Sequence, residues 1–329
     1  MSTAPRPLVV LAGPTHPDGH ALLETEARVV VCTDETEDAF LKVAADADGI
    51  LFRVNPRCTE SLMAACKRLR VVGRHGVGLD TVDIPAATRL GVAVVHAPGS
   101  NAQAVAEHAV MLMLVCVKRT LEVDRETRQG AWGARARRGN TELAGKTLGI
   151  VGVGNIGRRV AKFCGAIGMD VRGYDPYVDP DELRRRGAEP VDSLEALLRA
   201  ADVVTCHTPL TDETRHMINE RTVRLMKPGA IFINTSRGGV QEERSLFEAL
   251  ARGTLAAAGL DVWEQEPVAA DNPILNLPNV VCSSHVAGVT KESTRNTSLM
   301  VAGEMLRVLR GERPHVLVNP DVWPRLGRR

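Results

Sequence analysis

Three polar residues in the later part of the chain are of types that together do acid–base chemistry on a small carboxylic acid. Arg237 lies in Asn234-Thr235-Ser236-Arg237-Gly238-Gly239, Glu266 in Asp261-Val262-Trp263-Glu264-Gln265-Glu266-Pro267, and His285 in Ser283-Ser284-His285-Val286-Ala287-Gly288. A guanidinium fork can hold a carboxylate and polarise the carbonyl beside it. An imidazole can supply the proton that a carbonyl oxygen needs as hydride reaches its carbon. A carboxylate next to that imidazole would orient the ring, stabilise its charged form and raise its pKa. Singly, each has an ordinary explanation: a surface arginine after a strand, a glutamate ending an element before proline, a histidine satisfied in the core. As an ordered set following successive strands they point to one site, because ligands of open α/β sheets bind beyond the carboxyl ends of the strands.

A second constellation supplies the cofactor. Gly152-Val153-Gly154-Asn155-Ile156-Gly157 follows an apolar strand and opens a helix. The first glycine permits the tight turn, the second lets backbone approach a pyrophosphate, and the third lets helix and strand pack closely. A lone glycine-rich turn is weak evidence, but Asp175 ends the next strand, where a carboxylate would accept hydrogen bonds from the adenosine ribose. That acid repels a 2′-phosphate, and Pro176 and Tyr177 follow it instead of a basic pair, so NAD is favoured over NADP. Arg172, three residues before Asp175, is expected to face another way.

These residues require a particular scaffold. Leu8 to Ala12, Val29 to Cys32, Gly49 to Phe52, Leu69 to Gly73 and Val92 to Val95 read as buried strands, with helical segments such as Thr59 to Lys67 and Ile84 to Leu90 between them. A long helix is expected over Ala102 to Arg128, then a polar connection from Gly130 to Asn140. Strands then resume at Leu148 to Val151, Asp170 to Tyr174, Val203 to Cys206, Ala230 to Asn234, Ala257 to Asp261 and Val280 to Cys282. Their helices include Asn155 to Ile167, Ser193 to Arg199 and Glu242 to Arg252, and a last helix is expected over Thr290 to Leu309. Strand and helix in alternation mean parallel sheets, here two α/β units in tandem.

Composition narrows the partners. The 329 residues carry a net charge of +1, so no global field draws a polyanion or an anionic membrane. Aromatics are only 3%, too few for a base-stacking platform; no nucleic acid is expected. The basic runs Arg135 to Arg138 and Arg184 to Arg186 read as solvated faces. Seven scattered cysteines without a C-x-x-C pair suggest neither a metal site nor a disulfide framework, and a cytoplasmic setting is expected. Met1 to Pro7 lacks a long apolar segment and does not read as a secretory signal, and the apolar run Ala109 to Val117 is too short to span a bilayer.

The chain resembles the D-isomer-specific 2-hydroxyacid dehydrogenases, especially their phosphoglycerate dehydrogenase and hydroxypyruvate or glyoxylate reductase branch. The resemblance rests on Gly73-Arg74-His75-Gly76-Val77-Gly78-Leu79-Asp80, Ala104-Val105-Ala106-Glu107-His108, the Gly152 loop, His207-Thr208-Pro209-Leu210-Thr211 and the segments of Arg237, Glu266 and His285. It implies a Rossmann nucleotide domain, residues 103–285, inserted into a discontinuous flavodoxin-like substrate domain, residues 1–102 and 286–329, with hinges near Asn101 and His285. It implies Arg237, Glu266 and His285 as catalytic residues and backbone amides near Val77 and Gly78 as holders of the substrate carboxylate. Alongside the glycine loop, His207, Pro209, Thr214, Thr235 and Asp261 would line the NAD cleft, Asp261 near the nicotinamide carboxamide.

The resemblance also implies a homodimer through residues 103–140, with Trp132 at the interface. The substrate would be a small 2-keto or 2-hydroxy acid of the hydroxypyruvate, glyoxylate or 3-phosphoglycerate type, chosen by the loops Phe52 to Arg57 and Arg74 to Val77 and by the region of Trp132. Arg53, Arg57 and Arg74 there read either as holders of a second anionic group, Arg53 foremost, or as surface charges. Phosphite or formate oxidation on the same fold stays open, although a glutamate rather than glutamine at position 266 argues against formate. So does a non-catalytic NADH sensor. The chain stops at Arg329, so serine feedback through a C-terminal regulatory domain is not expected.

Overall fold

Two parallel sheets organise the chain, each within its own compact unit: Met1–Asn101 with Val289–Arg329, and Ala102–Gly288. The computed structural model describes residues 5–34, 36–53, 55–133 and 139–326. The basic run Arg135 to Arg138 therefore lies outside the described residues, as do Met1 to Ala4 of the terminus, Val54 of the Phe52 to Arg57 loop and part of the Gly130 to Asn140 connection.

In the first unit, strands β1 (Leu8–Ala12), β2 (Arg28–Cys32), β3 (Gly49–Phe52), β4 (Val71–Arg74) and β5 (Ala93–Val95) form a sheet of order β2-β1-β3-β4-β5. Side chains alternate across it, as the period of a strand requires. Leu8, Val10 and Ala12 enter one apolar cluster with Phe40, Leu62 and Met63, while Val9 and Leu11 enter the other with Val301, Met305 and Leu306. The first cluster lies under α2 (Glu37–Ala44), α3 (Glu60–Ala65) and α4 (Ile84–Arg89). The second lies under α1 (Pro17–Glu24) and the late helix α12 (Lys291–Arg310). A side chain at Gly73 would meet Met305 Sδ at 2.4 Å, so its absence lets α12 lie down on β4. The unit is thus discontinuous in sequence.

The second unit holds β6 (Thr147–Val151), β7 (Asp170–Tyr174), β8 (Glu189–Pro190), β9 (Val203–Cys206), β10 (Ala230–Asn234), β11 (Leu255–Leu260) and β12 (Val280–Cys282), in the order β12-β11-β10-β9-β6-β7-β8. Every pairing is parallel. Ile231 and Ile233 face a cluster shared with α5 (Ala102–Lys118) and α7 (Gly157–Ile167). Ala230 and Phe232 face one shared with α9 (Leu194–Ala200) and α11 (Glu243–Ala251). Strand order reverses between β6 and β9, and ligands of such sheets bind at that switch point.

The single helix expected over Ala102 to Arg128 is two. Arg119 takes φ 49, a left-handed conformation, and α6 (Thr120–Arg128) starts anew after it. The carbonyl of Val117, near the end of α5, accepts the Thr141 amide at 3.1 Å from the returning chain. No glycine or proline marks this break, so periodicity alone ran through it. Among the described residues, no helix is long and apolar enough to cross a membrane.

Candidate active site

The glycine loop turns at the switch point. Gly152 has φ +87, and a Cβ there would stand 2.9 Å from the His207 carbonyl oxygen; at Gly157 it would stand 2.2 Å from the Gly152 carbonyl oxygen. Neither position can carry a side chain without moving backbone. A Cβ at Gly154 meets nothing within 4 Å, so this side of the loop is open to a pyrophosphate. The Asn155 carbonyl accepts Arg159 at 2.6 Å, and Ile156 is the N-cap of α7 without a side-chain cap bond. Asp175 accepts the amides of Val153 at 3.0 Å and Tyr177 at 3.1 Å, which fixes the carboxylate beside the loop.

Beyond β9 and β10 the walls are polar. His207 Nδ1, Thr208 Oγ1 and Thr235 Oγ1 are buried and have no partner among the described residues. Burial pushes the His207 pKa down to about 3, so its ring is neutral, and Nε2 shares a 3.0 Å hydrogen bond with Thr205 Oγ1. Buried donors and acceptors left idle in a protein call for a polar ligand. Thr214 accepts the Thr211 amide at 2.8 Å and donates to the Pro209 carbonyl at 2.7 Å, which closes the turn that follows His207. A dinucleotide fits this set: open backbone for its pyrophosphate, a fixed carboxylate for its ribose, and idle polar groups along its length.

Arg237, Glu266 and His285 converge within the same unit. Asn234, buried at the end of β10, is the organiser of the first loop. Its Oδ1 accepts Ser236 N at 2.9 Å and Ser236 Oγ at 2.7 Å, and its Nδ2 donates to the Arg237 carbonyl at 3.0 Å. Gly238 then presses on the next loop, for a Cβ there would lie 1.8 Å from the Trp263 carbonyl oxygen. That loop turns back on itself: Trp263 N donates to Glu266 Oε1 at 3.1 Å, and the buried indole Nε1 donates to Ser283 O at 3.0 Å. Glu266 Oε2 meets His285 Nδ1 at 2.7 Å.

His285 itself is strained. Its φ of 56 puts a non-glycine residue in the left-handed region, which costs on the order of 1–3 kcal/mol. The fully buried Asp261 over-determines it. Its carbonyl accepts His285 N at 2.7 Å, and its carboxylate accepts Val286 N at 2.9 Å, Ala287 N at 2.9 Å and Ser283 Oγ at 2.6 Å. His108 of α5 closes the arrangement at 3.0 Å from Ser283 Oγ. Asp261 thus clamps the loop that carries His285.

Charge follows geometry. Burial alone would raise the Glu266 pKa. The hydrogen bond and charge of His285, the Trp263 amide and the charge of Arg237 outweigh it and hold the carboxyl below its ordinary range. An ionised carboxylate only accepts, so the proton between the two residues sits on His285 Nδ1. Nε2 is then the nitrogen that can exchange a proton with a substrate.

In the first unit, Gly76 to Gly78 follow β4. The Gly76 carbonyl accepts Ala97 N at 3.0 Å and the Val77 carbonyl meets His96 Nδ1 at 3.0 Å. Among the described residues, the amides of Val77 and Gly78 take no intramolecular acceptor, which leaves two adjacent donors for an anion. His75 is buried against Ser298 Oγ at 2.7 Å. Arg53 is exposed at the end of β3, and Arg57 donates to the Asp80 carbonyl at 3.2 Å.

Known proteins resemble this chain over most of its length. Residues 110–287 match the family model of the D-isomer specific 2-hydroxyacid dehydrogenase, NAD binding domain. A glyoxylate reductase of Korarchaeum cryptofilum is 39% identical over 84% of this chain and 84% of its own. The chain belongs to the D-2-hydroxyacid dehydrogenase family. A D-3-phosphoglycerate dehydrogenase of Methanocaldococcus jannaschii is 39% identical over 94% of this chain, which spans only 59% of that relative's length. Among solved structures, the D-lactate dehydrogenase of Aquifex aeolicus, complexed with NAD and lactic acid, superposes with a TM-score of 0.85 at 30% identity, covering 95% of this chain and 99% of that one. The cofactor of the seven-stranded unit is NAD.

Several residues that hold the site are not marked as such in the sequence. Arg184 and Arg185 pair with acids on the surface, as a solvated face should. Arg186 departs from that reading: its NH1 donates to the Val153 carbonyl at 2.7 Å and backs the glycine loop. Gly238, Ser283 and His108 likewise act by contact with loops distant in sequence, while Asn234 ties the loop that follows it directly. The one available signal was Asn234 itself, an amide ending an otherwise apolar strand.

Proposed function

We propose that this chain is an NAD-dependent D-2-hydroxyacid dehydrogenase, interconverting a small 2-keto acid and its D-2-hydroxy acid. The observation that carries this reading is the Glu266–His285 pair, at 2.7 Å, within the charge field of Arg237 and in the unit that bears the NAD loop. NAD, when bound, supplies hydride exchange at the substrate's C2. Arg237 holds the carboxylate and polarises the C2 oxygen. His285 Nε2 gives a proton to that oxygen in reduction and takes it in oxidation. Glu266 keeps the ring in the required tautomer and stabilises its charged form.

Glyoxylate, hydroxypyruvate and 3-phosphoglycerate are the substrate types we favour, in keeping with the names of the relatives. NADH oxidation across a panel of 2-keto acids tests the reading. Turnover with at least one acid is expected; tight NADH binding with negligible oxidation of every acid would contradict it.

We place the enzyme as a homodimer in the cytoplasm. Met111, Leu114, Leu121 and Trp132 are large apolar side chains exposed on or near α5 and α6, and Trp132 is 68% exposed. All seven cysteines are free, which suits a reducing compartment. Light scattering after size exclusion is expected to give twice the 35.5 kDa chain mass. A monomer would refute the assembly.

A further inference from the structure

One contact in the NAD-binding unit serves neither its core nor its catalytic loops. Tyr177, 77% exposed, donates its phenol to the carboxylate of Glu213. Tyr177 belongs to the segment after β7 and Glu213 to the segment after β9, and β6 lies between those two strands. A bond from one segment to the other therefore passes over the carboxyl end of β6, where the glycine loop begins.

Both ends of this strap are anchored. The Tyr177 amide donates to Asp175 Oδ1 at 3.1 Å, so the phenol hangs from the same carboxylate that faces the ribose. Glu213 precedes Thr214, whose hydroxyl ties the 209–214 turn to the Pro209 carbonyl at 2.7 Å. An exposed hydrogen bond of this kind adds little to stability. A large aromatic side chain held in solvent is thus explained poorly by folding and well by a flat ligand.

We infer that Tyr177 and Glu213 form a strap over the adenosine end of the dinucleotide, and that Glu213 is a second determinant, beside Asp175, of the preference for NAD over NADP. This rests on the NAD reading above. The Asp175 carboxylate already accepts two backbone amides, which spread part of its charge. Glu213 adds a second negative group on the opposite side of the loop, where a 2′-phosphate would meet both. The Tyr177 ring offers an aromatic face to the adenine and keeps the Glu213 carboxylate turned inward.

The test is equilibrium binding of NADH and NADPH, read by energy transfer from tryptophan to the nicotinamide, for the wild type, Glu213→Gln and Tyr177→Phe. Removing one charge from a phosphate's surroundings is expected to narrow the NADPH-to-NADH ratio of Kd in Glu213→Gln by about tenfold. Tyr177→Phe, which keeps the ring but frees Glu213, is expected to speed NADH release by roughly fivefold in stopped-flow displacement. The two tyrosines of the chain give an independent readout without ligand. The hydrogen bond to Glu213 and its charge, then slight burial and the neighbours Asp175 and Tyr174, raise the Tyr177 pKa, so one phenol should titrate lower in Glu213→Gln. An unchanged Kd ratio in Glu213→Gln with unchanged release in Tyr177→Phe would overturn the strap. A wild type that shows no preference for NADH would instead overturn the NAD reading beneath it.

Discussion

At the carboxyl end of the seven-stranded sheet, the loops of Arg237, Glu266 and His285 are held by polar side chains engaged with one another and with backbone. Asn234 ties the Arg237 loop, Asp261 the His285 loop, and Glu266 the imidazole. At the carboxyl end of the five-stranded sheet, burial first, and then the charge of Arg74, lower the pKa values of His75 and His96, with Arg53 adding to the shift of His75. The first arrangement is preorganised: its groups are held where a reaction needs them before any substrate arrives. The second concentrates positive charge beside two idle amides, which suits capture of an anion. Changes in the first should therefore appear in kcat, and changes in the second in KM or in stability.

The largest effect is expected from Arg237→Ala, which removes the carboxylate fork. Steady-state kinetics should show kcat/KM lowered by roughly a thousandfold or more while the Kd for NADH changes little. A loss confined to NADH affinity would move Arg237 from the substrate to the cofactor.

Gly238→Ala comes next. The added methyl meets Trp263 backbone at 1.8 Å, so one loop must give way. Thermal melts should report a stability loss of roughly 1–3 kcal/mol, with kcat reduced alongside it. A stable variant of full activity would show that the two loops are not braced against each other.

Arg53→Gln addresses the other sheet. Loss of one charged donor should raise KM for the preferred keto acid by about tenfold with kcat largely kept. Equal falls in kcat and kcat/KM would erase the contrast drawn above.

The smallest effect is on acid stability. Burial, and then the charges of Arg53 and Arg74, push the His75 pKa from 6.5 down to about 4. The unfolded chain thus takes up this proton first, so the contribution is complete above the unfolded pKa and is lost as pH falls towards the folded one. Melting temperature should decline from about pH 6.5 downwards, and less steeply in His75→Asn. His207, with its pKa near 3, extends the decline to lower pH. Identical profiles for the two proteins would mean that the His75 ring is not buried in solution.

Legibility divides along the same physical line. Asp170 to Tyr174, Val203 to Cys206, Ala230 to Asn234 and Val280 to Cys282 are strands with the bounds expected, because continuous apolar runs between turn residues are a local signal. The glycine loop was legible for the same reason, since a turn, a strand end and a helix start are neighbours in sequence. Sheet order is not local. It makes the Asp261 carboxylate a clamp for residues 286 and 287, sets Arg186 behind Val153 and carries Tyr177 to Glu213. The break at Arg119 escaped because it depends on which later segment claims the Val117 carbonyl.

The central claim is that His285 exchanges the substrate proton in the tautomer set by Glu266, and it is tested most directly by single-turnover oxidation of bound NADH by the preferred keto acid. In His285→Ala the rate should fall by roughly 10²–10⁴-fold, with the Kd for NADH within about twofold of wild type. Glu266→Gln should give a smaller loss. A His285→Ala enzyme that oxidises bound NADH at the wild-type rate would contradict the account.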